Sequence, residues 1–169
     1  MRVFIAAFVP LTLQDGVAFE VHPQNTIARF SLTAPYELRG FIIRDIGGLR
    51  VHLPTLLAST GVTLDVPPAL PGHSIVAETI DEVYKRMYHT MIHNHFQQLV
   101  RVLGLHYNGK GWQLIRTRLR EVIPHGHTLE EAWLSEGAKT LPGKCFMRMR
   151  MAGLFRNVSF LALVERLLF

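Results

Sequence analysis

Two neighbouring stretches carry most of the information about the fold: GVAFEVHPQNTIARF at residues 16–30 and ELRGFIIRDIGGLRV at residues 37–51. Both are rich in β-branched and aromatic residues, and the sequence between them at residues 33–35 is typical of a turn. Within the second stretch we expect one strand over residues 37–44 and a third, short strand over residues 49–53. This pattern predicts an antiparallel β-hairpin or meander.

The rest of the chain is dominated by helical periodicity. An apolar helix is expected over residues 3–15, and the proline-rich segment 54–74 is predicted to be a loop. Apolar residues then recur every three or four positions over residues 74–103, which predicts one long helix. A second helix is expected over residues 112–123, and residues 128–131 form a capping box that starts a third. Strands early and helices late indicate the α+β class, with a helical C-terminal half.

The composition favours a folded domain that meets another surface. The chain has 169 residues, of which 49% are hydrophobic and only 18% charged. These values exclude a disordered chain and suit a single domain over residues 1–169. Because little charge is left to cover the outside, we expect some apolar surface to contact another domain or subunit.

The charges and the cysteine count narrow the class of ligand and the compartment. The net charge is +5, and arginine supplies most of the basic residues, which favours an anionic small-molecule ligand. The sequence contains no run of basic residues with interleaved aromatics, so nucleic-acid binding is not predicted. It also contains no apolar segment long enough to predict a membrane span. The single cysteine, Cys145, excludes an internal disulfide and indicates a cytoplasmic location.

The polar centre of the first stretch predicts a cation-bearing site. On an extended strand Glu20, His22 and Gln24 would lie on one face. Asp45, at the end of the paired strand, would come beside Asn25. Because carboxylate and amide oxygens are hard ligands, this pair predicts a Mg²⁺ site.

The same layout resembles, part by part, the nucleotide site of kinase-like phosphotransferases. There a His-containing loop ends in Asn, and an Asp before a Gly holds the metal. The aspartate expected between His and Asn as catalytic base is absent here, since Pro23 and Gln24 occupy that stretch. A kinase-like small-molecule phosphotransferase is therefore an alternative that is less favoured.

A more specific resemblance rests on a G-(I/V)-x-x-E-x-H-x-Q-N string at residues 16–25, followed by R-D-x-x-G at residues 44–48. The similarity continues at residues 94–96, at Trp133 and at residues 144–150. The chain resembles the siderophore synthetases that work without a peptide-synthetase template, the aerobactin-like IucA/IucC type. It is similar to their C-terminal, FhuF-like palm portion only.

The resemblance implies an ATP- and Mg²⁺-dependent acid–amine ligase of siderophore biosynthesis and iron acquisition. Such enzymes adenylate a carboxylate of citrate or a similar polycarboxylate, and an amine, hydroxylamine or alcohol then displaces AMP from the acyl-adenylate. By this likeness His22 is catalytic, and the nucleotide-binding residues are Glu20, Gln24, Asn25 and Asp45, with Asn25 and Asp45 also holding Mg²⁺. The residues that would pair with substrate carboxylates are Lys144, Arg148, Arg150 and Arg44.

The resemblance also implies an incomplete enzyme. Family members are several times longer, and their N-terminal part carries a Ser/Thr-Arg loop and further basic residues that grip the triphosphate. We therefore expect this chain to be a palm domain without its N-terminal lobe, which it would meet through association or as a homo-oligomer. A non-catalytic truncated remnant or interaction module is the alternative.

Overall fold

The computed structural model describes residues 1–65, 75–135, 140–144 and 161–165. The helices are α1 (Arg2–Gln14), α2 (Leu53–Thr60), α3 (Ile80–Met87), a π-helix (Tyr88–Phe96), α4 (Gln97–Val102), α5 (Lys110–Arg120) and α6 (Thr128–Leu134). The strands are β1 (Val17–Ala18), β2 (Thr26–Phe30), β3 (Leu38–Ile43), β4 (Arg50–Val51), β5 (Thr140–Lys144) and β6 (Leu161–Glu165). The α+β class is confirmed, but the helical C-terminal half also contains the antiparallel pair β5–β6.

The first four strands form two nested pairs rather than a meander. The predicted hairpin is confirmed as β2–β3, with Thr26 opposite Ile43. β4 does not continue that sheet, because it pairs antiparallel with β1. Asp45 adopts a left-handed backbone conformation with φ 59° and begins a short 3₁₀ helix, Ile46–Gly48, that turns the chain back toward β1.

The strand predicted through the first stretch is interrupted by a turn at residues 22–25. The amide of Asn25 donates to the carbonyl of His22 over 3.0 Å, and the Thr26 hydroxyl donates to the same carbonyl over 3.1 Å. Pro23 lacks an amide hydrogen and restricts the backbone before it, which favours such a turn. The prediction that Glu20, His22 and Gln24 share one strand face is therefore wrong.

The loop predicted over residues 54–74 begins with a helix. α2 carries Pro54 in its first turn, where the absent amide hydrogen costs nothing, and it ends at Gly61 with φ 72°. A proline in this segment therefore lies at the start of a helix and does not exclude one. Residues 66–74 lie outside the described part of the chain.

The long helix predicted over residues 74–103 is confirmed as a continuous helical run, but it begins later, at Ile80. It is regular α-helix only in α3 and α4, because residues 88–96 between them have π geometry. α5 lies close to its expected position at residues 112–123. α6 begins as expected, although its N-cap is His127, whose imidazole accepts from the Leu129 amide.

The core lies between α1 and this helical run. Phe4 of α1 contacts the rings of Phe41 and Phe96 at centroid distances of 4.9 and 5.4 Å, so the hairpin, α1 and the run meet at one point. Burial of each such side chain contributes roughly 1.5–3 kcal/mol. Within the described residues, no helix is both long and apolar enough to span a bilayer.

The outer part of the β2–β3 hairpin is exposed despite its composition. Large apolar side chains point into solvent along both strands and the connecting turn: Ile27, Phe30, Leu32, Tyr36 and Ile42. The structure thus places exposed apolar surface on this hairpin, and its contact with another domain or subunit stays a prediction.

Candidate functional site

An ion pair between Glu20 and Arg86 anchors the site. Glu20 follows β1, and Arg86 extends from α3 to bring its Nη1 within 2.7 Å of the Glu20 Oε1. The two side chains are 24% and 12% exposed. Burial lowers the pKa of Arg86 from its ordinary value, and the nearby Arg50 adds to this, while Glu20 opposes both. Arg86 therefore holds Glu20 from the protein side.

Gly48, the last residue of the R-D-x-x-G string, lies directly against Glu20. A Cβ atom built on Gly48 would overlap the Cγ, Cδ and Oε2 atoms of Glu20. Only glycine leaves room for the carboxylate in this position. The two motifs, separated in sequence, are thus in contact here.

His22 is the neighbour of Glu20 on the open side of the site. Its Nε2 lies 4.0 Å from the Glu20 Oε2, and about three quarters of its side chain is covered, since 24% is exposed. An imidazole that is reachable from solvent and lies beside a carboxylate can donate a hydrogen bond to an anion or accept a proton.

Asn25 and Asp45 lie at the same end of the hairpin. The Arg44 amide donates to the Asn25 carbonyl over 3.0 Å, which extends the β2–β3 pairing by one residue on each strand. The Arg44 Nε donates to the Gln24 carbonyl over 2.8 Å and fastens the turn. Asn25 is 2% exposed, whereas Asp45 is exposed and its Oδ1 accepts from the Gly47 amide over 3.3 Å.

The side chains of Asn25 and Asp45 could bind a metal ion only if a further ligand supplied additional oxygen atoms. Among the side chains that the structure describes, no group of three or more His, Cys, Asp or Glu could hold an ion. Asn25 and Asp45 offer one amide and one carboxylate, which are hard oxygen donors. Mg²⁺ is usually bound through one or two carboxylates together with phosphate oxygens and water. These residues therefore fit Mg²⁺ bound with a nucleotide.

The π-helix contacts residues 19–21, the segment between β1 and the turn that begins at His22. The Thr90 hydroxyl donates to the Phe19 carbonyl over 3.3 Å, and the His95 Nδ1 donates to the Val21 carbonyl over 2.8 Å. Burial lowers the pKa of His95 from its ordinary value, and the nearby His22 acts in the same direction, against the Val21 hydrogen bond.

The roles of Arg86, Thr90 and His95 in supporting residues 19–21 could not be predicted from the sequence alone. The available signal was an arginine and a threonine within a largely apolar helix face. That signal indicates a buried polar contact, but it does not name the partner.

The predicted carboxylate-binding residues are only partly visible. Arg44 lies beside the turn as described above. Lys144 ends β5, opposite Leu161, and its side chain is not among those described. Arg148 and Arg150 lie outside the described residues, so their predicted role stays a prediction.

Comparisons with known proteins agree with the motif-based resemblance. Residues 1–157 match the family model described as "Ferric iron reductase FhuF-like transporter". The NRPS-independent siderophore synthetase rfs of Rhizopus delemar is 43% identical over 153 residues, which cover 90% of this chain and 23% of that protein. The siderophore synthetase-like protein ankE of Aspergillus thermomutatus is 31% identical over 159 residues, covering 91% and 24%.

A solved structure shows the same fold. The petrobactin biosynthesis protein AsbB of Bacillus anthracis matches with a TM-score of 0.63 at 16% identity, covering 99% of this chain and 30% of that one. The chain thus spans about a quarter of the length of the curated relatives it matches. The predicted resemblance to the C-terminal, FhuF-like portion of the siderophore synthetases is confirmed.

Proposed function

This chain belongs to the FhuF-like family, and from that membership we propose that it supplies the nucleotide site of an ATP-dependent ligase in siderophore biosynthesis. The observation that carries the proposal is the convergence of the two motifs. Glu20 lies against Gly48, His22 lies beside Glu20, and Asn25 and Asp45 share the end of the hairpin. The relatives named as siderophore synthetases point to the pathway.

The chemistry proposed is the activation of a carboxylate of a citrate-like polycarboxylate. A carboxylate oxygen attacks the α-phosphorus of ATP, pyrophosphate leaves, and an amine, hydroxylamine or alcohol then expels AMP to form the amide or ester. Two anions must approach each other in the first step, so positive charge and hydrogen-bond donors are needed where the charges meet.

The residues of this chain divide that work. Asn25 and Asp45 would hold Mg²⁺ with the phosphates, and the bound ion would neutralise phosphate charge. Glu20 and Gln24 would contact the nucleotide, and His22 would lie between the α-phosphate and the substrate carboxylate. The carboxylates would pair with Arg44, Lys144, Arg148 and Arg150.

The proposal extends to architecture and setting. The chain would act as a kinase-like palm that completes its site with an additional lobe or a second copy, in the cytoplasm. The exposed apolar hairpin supports such an association, since large exposed apolar patches are typical of interaction sites.

A chimera tests the function without assuming that this chain acts alone. The matching segment of the Rhizopus delemar synthetase is replaced by that of this chain, and citrate-dependent exchange of labelled pyrophosphate into ATP is measured. We expect exchange in the chimera, and we expect His22→Ala or Asp45→Asn to reduce it by roughly 100-fold, as loss of a proton-transfer or metal-binding group does.

The control is Gln98→Ala, an exposed position on α4 that should leave exchange unchanged. A folded chimera without exchange, or one in which His22→Ala has no effect, would contradict the proposal. AMP-free phosphate transfer to a hydroxyl would instead favour the phosphotransferase alternative.

The exposed hairpin supports a second candidate, an interaction module without catalysis. Leu32 is 96% exposed at the hairpin turn. On this hypothesis Leu32→Lys abolishes self-association in sedimentation experiments, and calorimetry detects no binding of Mg-ATP to the chain. The exposed polar position Gln113→Lys serves as the matched control.

A further inference from the structure

Three side chains of the helical run form hydrogen bonds with three consecutive residues, 19–21, which join β1 to the turn at residues 22–25. Arg86 bonds the Glu20 carboxylate, Thr90 bonds the carbonyl before it at Phe19, and His95 bonds the carbonyl after it at Val21. We propose that the π geometry brings Thr90 and His95 to the same side of the helical run, where both can bond this segment. Thr90 and His95 are then positioning residues for Glu20 and His22.

The spacing of Arg86, Thr90 and His95 accounts for the need for π geometry. Arg86 and Thr90 are four positions apart, the spacing at which α-helical residues lie above one another. The single proton of the Thr90 hydroxyl is shared between the Arg86 carbonyl, at 3.1 Å, and the Phe19 carbonyl, at 3.3 Å. Thr90 and His95 are five positions apart. In an α-helix such residues lie roughly 140° apart around the axis, so both could not face one strand.

A π-helix removes this conflict, because its hydrogen bonds join residues five positions apart. Thr90 and His95 then lie on the same side of the helical run. The π segment starts directly after α3, at Tyr88, and ends at Phe96, one residue beyond His95. It therefore includes the whole step from Thr90 to His95.

Residues 19–21 need this support because they make no β-sheet pairing of their own. β1 ends at Ala18, and the turn begins at His22, so residues 19–21 belong to neither β-sheet pair. The Phe19 carbonyl also accepts from the Val21 amide over 3.0 Å. With Thr90 and His95 on either side of Glu20, the backbone is fastened where the two site side chains emerge.

The hydrogen bond at Val21 also sets the tautomer of His95. A carbonyl oxygen only accepts, so the proton must lie on the Nδ1 of His95. A side chain with an N–H at the same place can replace it, which makes asparagine the conservative substitution and leucine the disruptive one. For Thr90 the corresponding pair is serine and valine.

The inference rests on the proposed function for its catalytic consequence, but its structural part can be tested separately. Amide hydrogen exchange of residues 19–22 is measured in this chain, with α5 as the internal reference. We expect Thr90→Val with His95→Leu to accelerate exchange in that segment at least tenfold while α5 stays protected. The conservative pair, Thr90→Ser with His95→Asn, should restore most of the protection.

A second variant tests the π spacing itself. Combining Asn94→His with His95→Ala keeps one imidazole but places it four positions after Thr90, the α-helical spacing. We expect this variant to exchange as fast at residues 19–22 as His95→Ala alone. Recovery of wild-type protection would overturn the inference, as would unchanged protection in the Val/Leu variant or an equal loss in α5 that Ser and Asn do not reverse.

The same variants, placed in the chimera, separate the two proposals. We expect Thr90→Val with His95→Leu to lower kcat for pyrophosphate exchange about tenfold or more, with a smaller change in the KM for ATP, and Ser/Asn to recover kcat. If kcat is unchanged although residues 19–22 exchange faster, the positioning role is wrong. If the unsubstituted chimera shows no exchange while the hydrogen-exchange pattern holds, the proposed function alone fails.

Discussion

Residues 19–25 and the β2–β3 hairpin that follows them come from one continuous stretch, yet their environments are opposite. In the first region a polar side chain, Asn25, is 2% exposed, and Glu20, at 24% exposure, forms a largely buried ion pair with Arg86. In the second, Leu32 is 96% exposed among other apolar residues. Globular proteins usually partition these residue types the other way.

The comparison shows what each region needs from its surroundings. The helical run supplies partners for the polar groups of residues 19–25, so those groups can be buried. Nothing among the described residues covers the tip of the hairpin, so its apolar side chains stay in solvent. Buried polar groups thus mark the site, and exposed apolar groups mark a surface suited to association.

The largest effect on stability is expected when the ion pair between Glu20 and Arg86 is broken. Arg86→Met leaves the Glu20 carboxylate largely buried and without its partner, which should lower the free energy of unfolding by about 2 kcal/mol, somewhat less than for a fully buried pair. The exposed pair Arg39–Glu37 on the hairpin, 2.8 Å long with side chains 58% and 57% exposed, offers the matched control.

Arg39→Met should change stability by only about 0.5 kcal/mol or less, because solvent screens that pair. Urea unfolding of both variants measures the contrast. Equal losses at the two positions would show that the two regions do not differ electrostatically. Adding Glu20→Gln to Arg86→Met should recover part of the loss, since the unpaired charge is then removed.

A smaller effect is expected at Gly48. In Gly48→Ala the new methyl group displaces the flexible Glu20 side chain from Arg86, at a cost of roughly 1–2 kcal/mol. Gly47→Ala is the matched control, since its Cβ would meet only the Asp45 Oδ1 at 3.4 Å, an ordinary contact. Thermal unfolding should separate the two, and a Gly47→Ala effect as large as that of Gly48→Ala would argue against Glu20 as the cause.

The smallest effect concerns pH. Burial lowers the pKa of His93 and of His95 below the ordinary value near 6.5. Below about pH 6.5 the unfolded chain therefore binds more protons than the folded chain. The free energy of unfolding then decreases as the pH is lowered, until both partly buried imidazoles are protonated in the folded chain. Urea unfolding between pH 7.5 and 5.5 measures this slope above the range in which carboxylates titrate.

His95→Asn should flatten that slope, whereas Gln98→Ala, at an exposed position without a titratable group, should not. A slope that is the same in wild type and His95→Asn would remove His95 as a contributor. A stability that rises on acidification would contradict the buried state of both imidazoles.

The sequence was sufficient to predict the elements that local patterns control. β2 and β3 are rich in β-branched and aromatic residues on either side of a turn, and α5 has a clear apolar face, so these elements appear near their predicted positions. The turn at residues 22–25 was also encoded, since Pro23 disfavours a continuous strand. β1 and β4 are two residues each, too short for any periodicity, and only the return of the chain through Asp45 pairs them.

The motif residues of the candidate site could be predicted from the sequence, but the residues of the helical run that contact them could not. Glu20, His22, Asn25 and Asp45 stand out because polar groups interrupt apolar strands. Arg86 does not, because its partner lies 66 positions earlier and only tertiary packing brings the two together. The π segment is equally hidden, since its apolar residues continue the pattern of the flanking α-helices.

The backbone of Asp45 restricts which residues could replace it over evolutionary time. Its φ of 59° lies in a region that, apart from glycine, asparagine and aspartate adopt most readily. Asparagine would keep this shape but lose the negative charge, and glycine would keep the shape but lose every side-chain oxygen. Substitution at this position is therefore confined to a narrow set, and each step away from aspartate removes the carboxylate charge before it disturbs the fold.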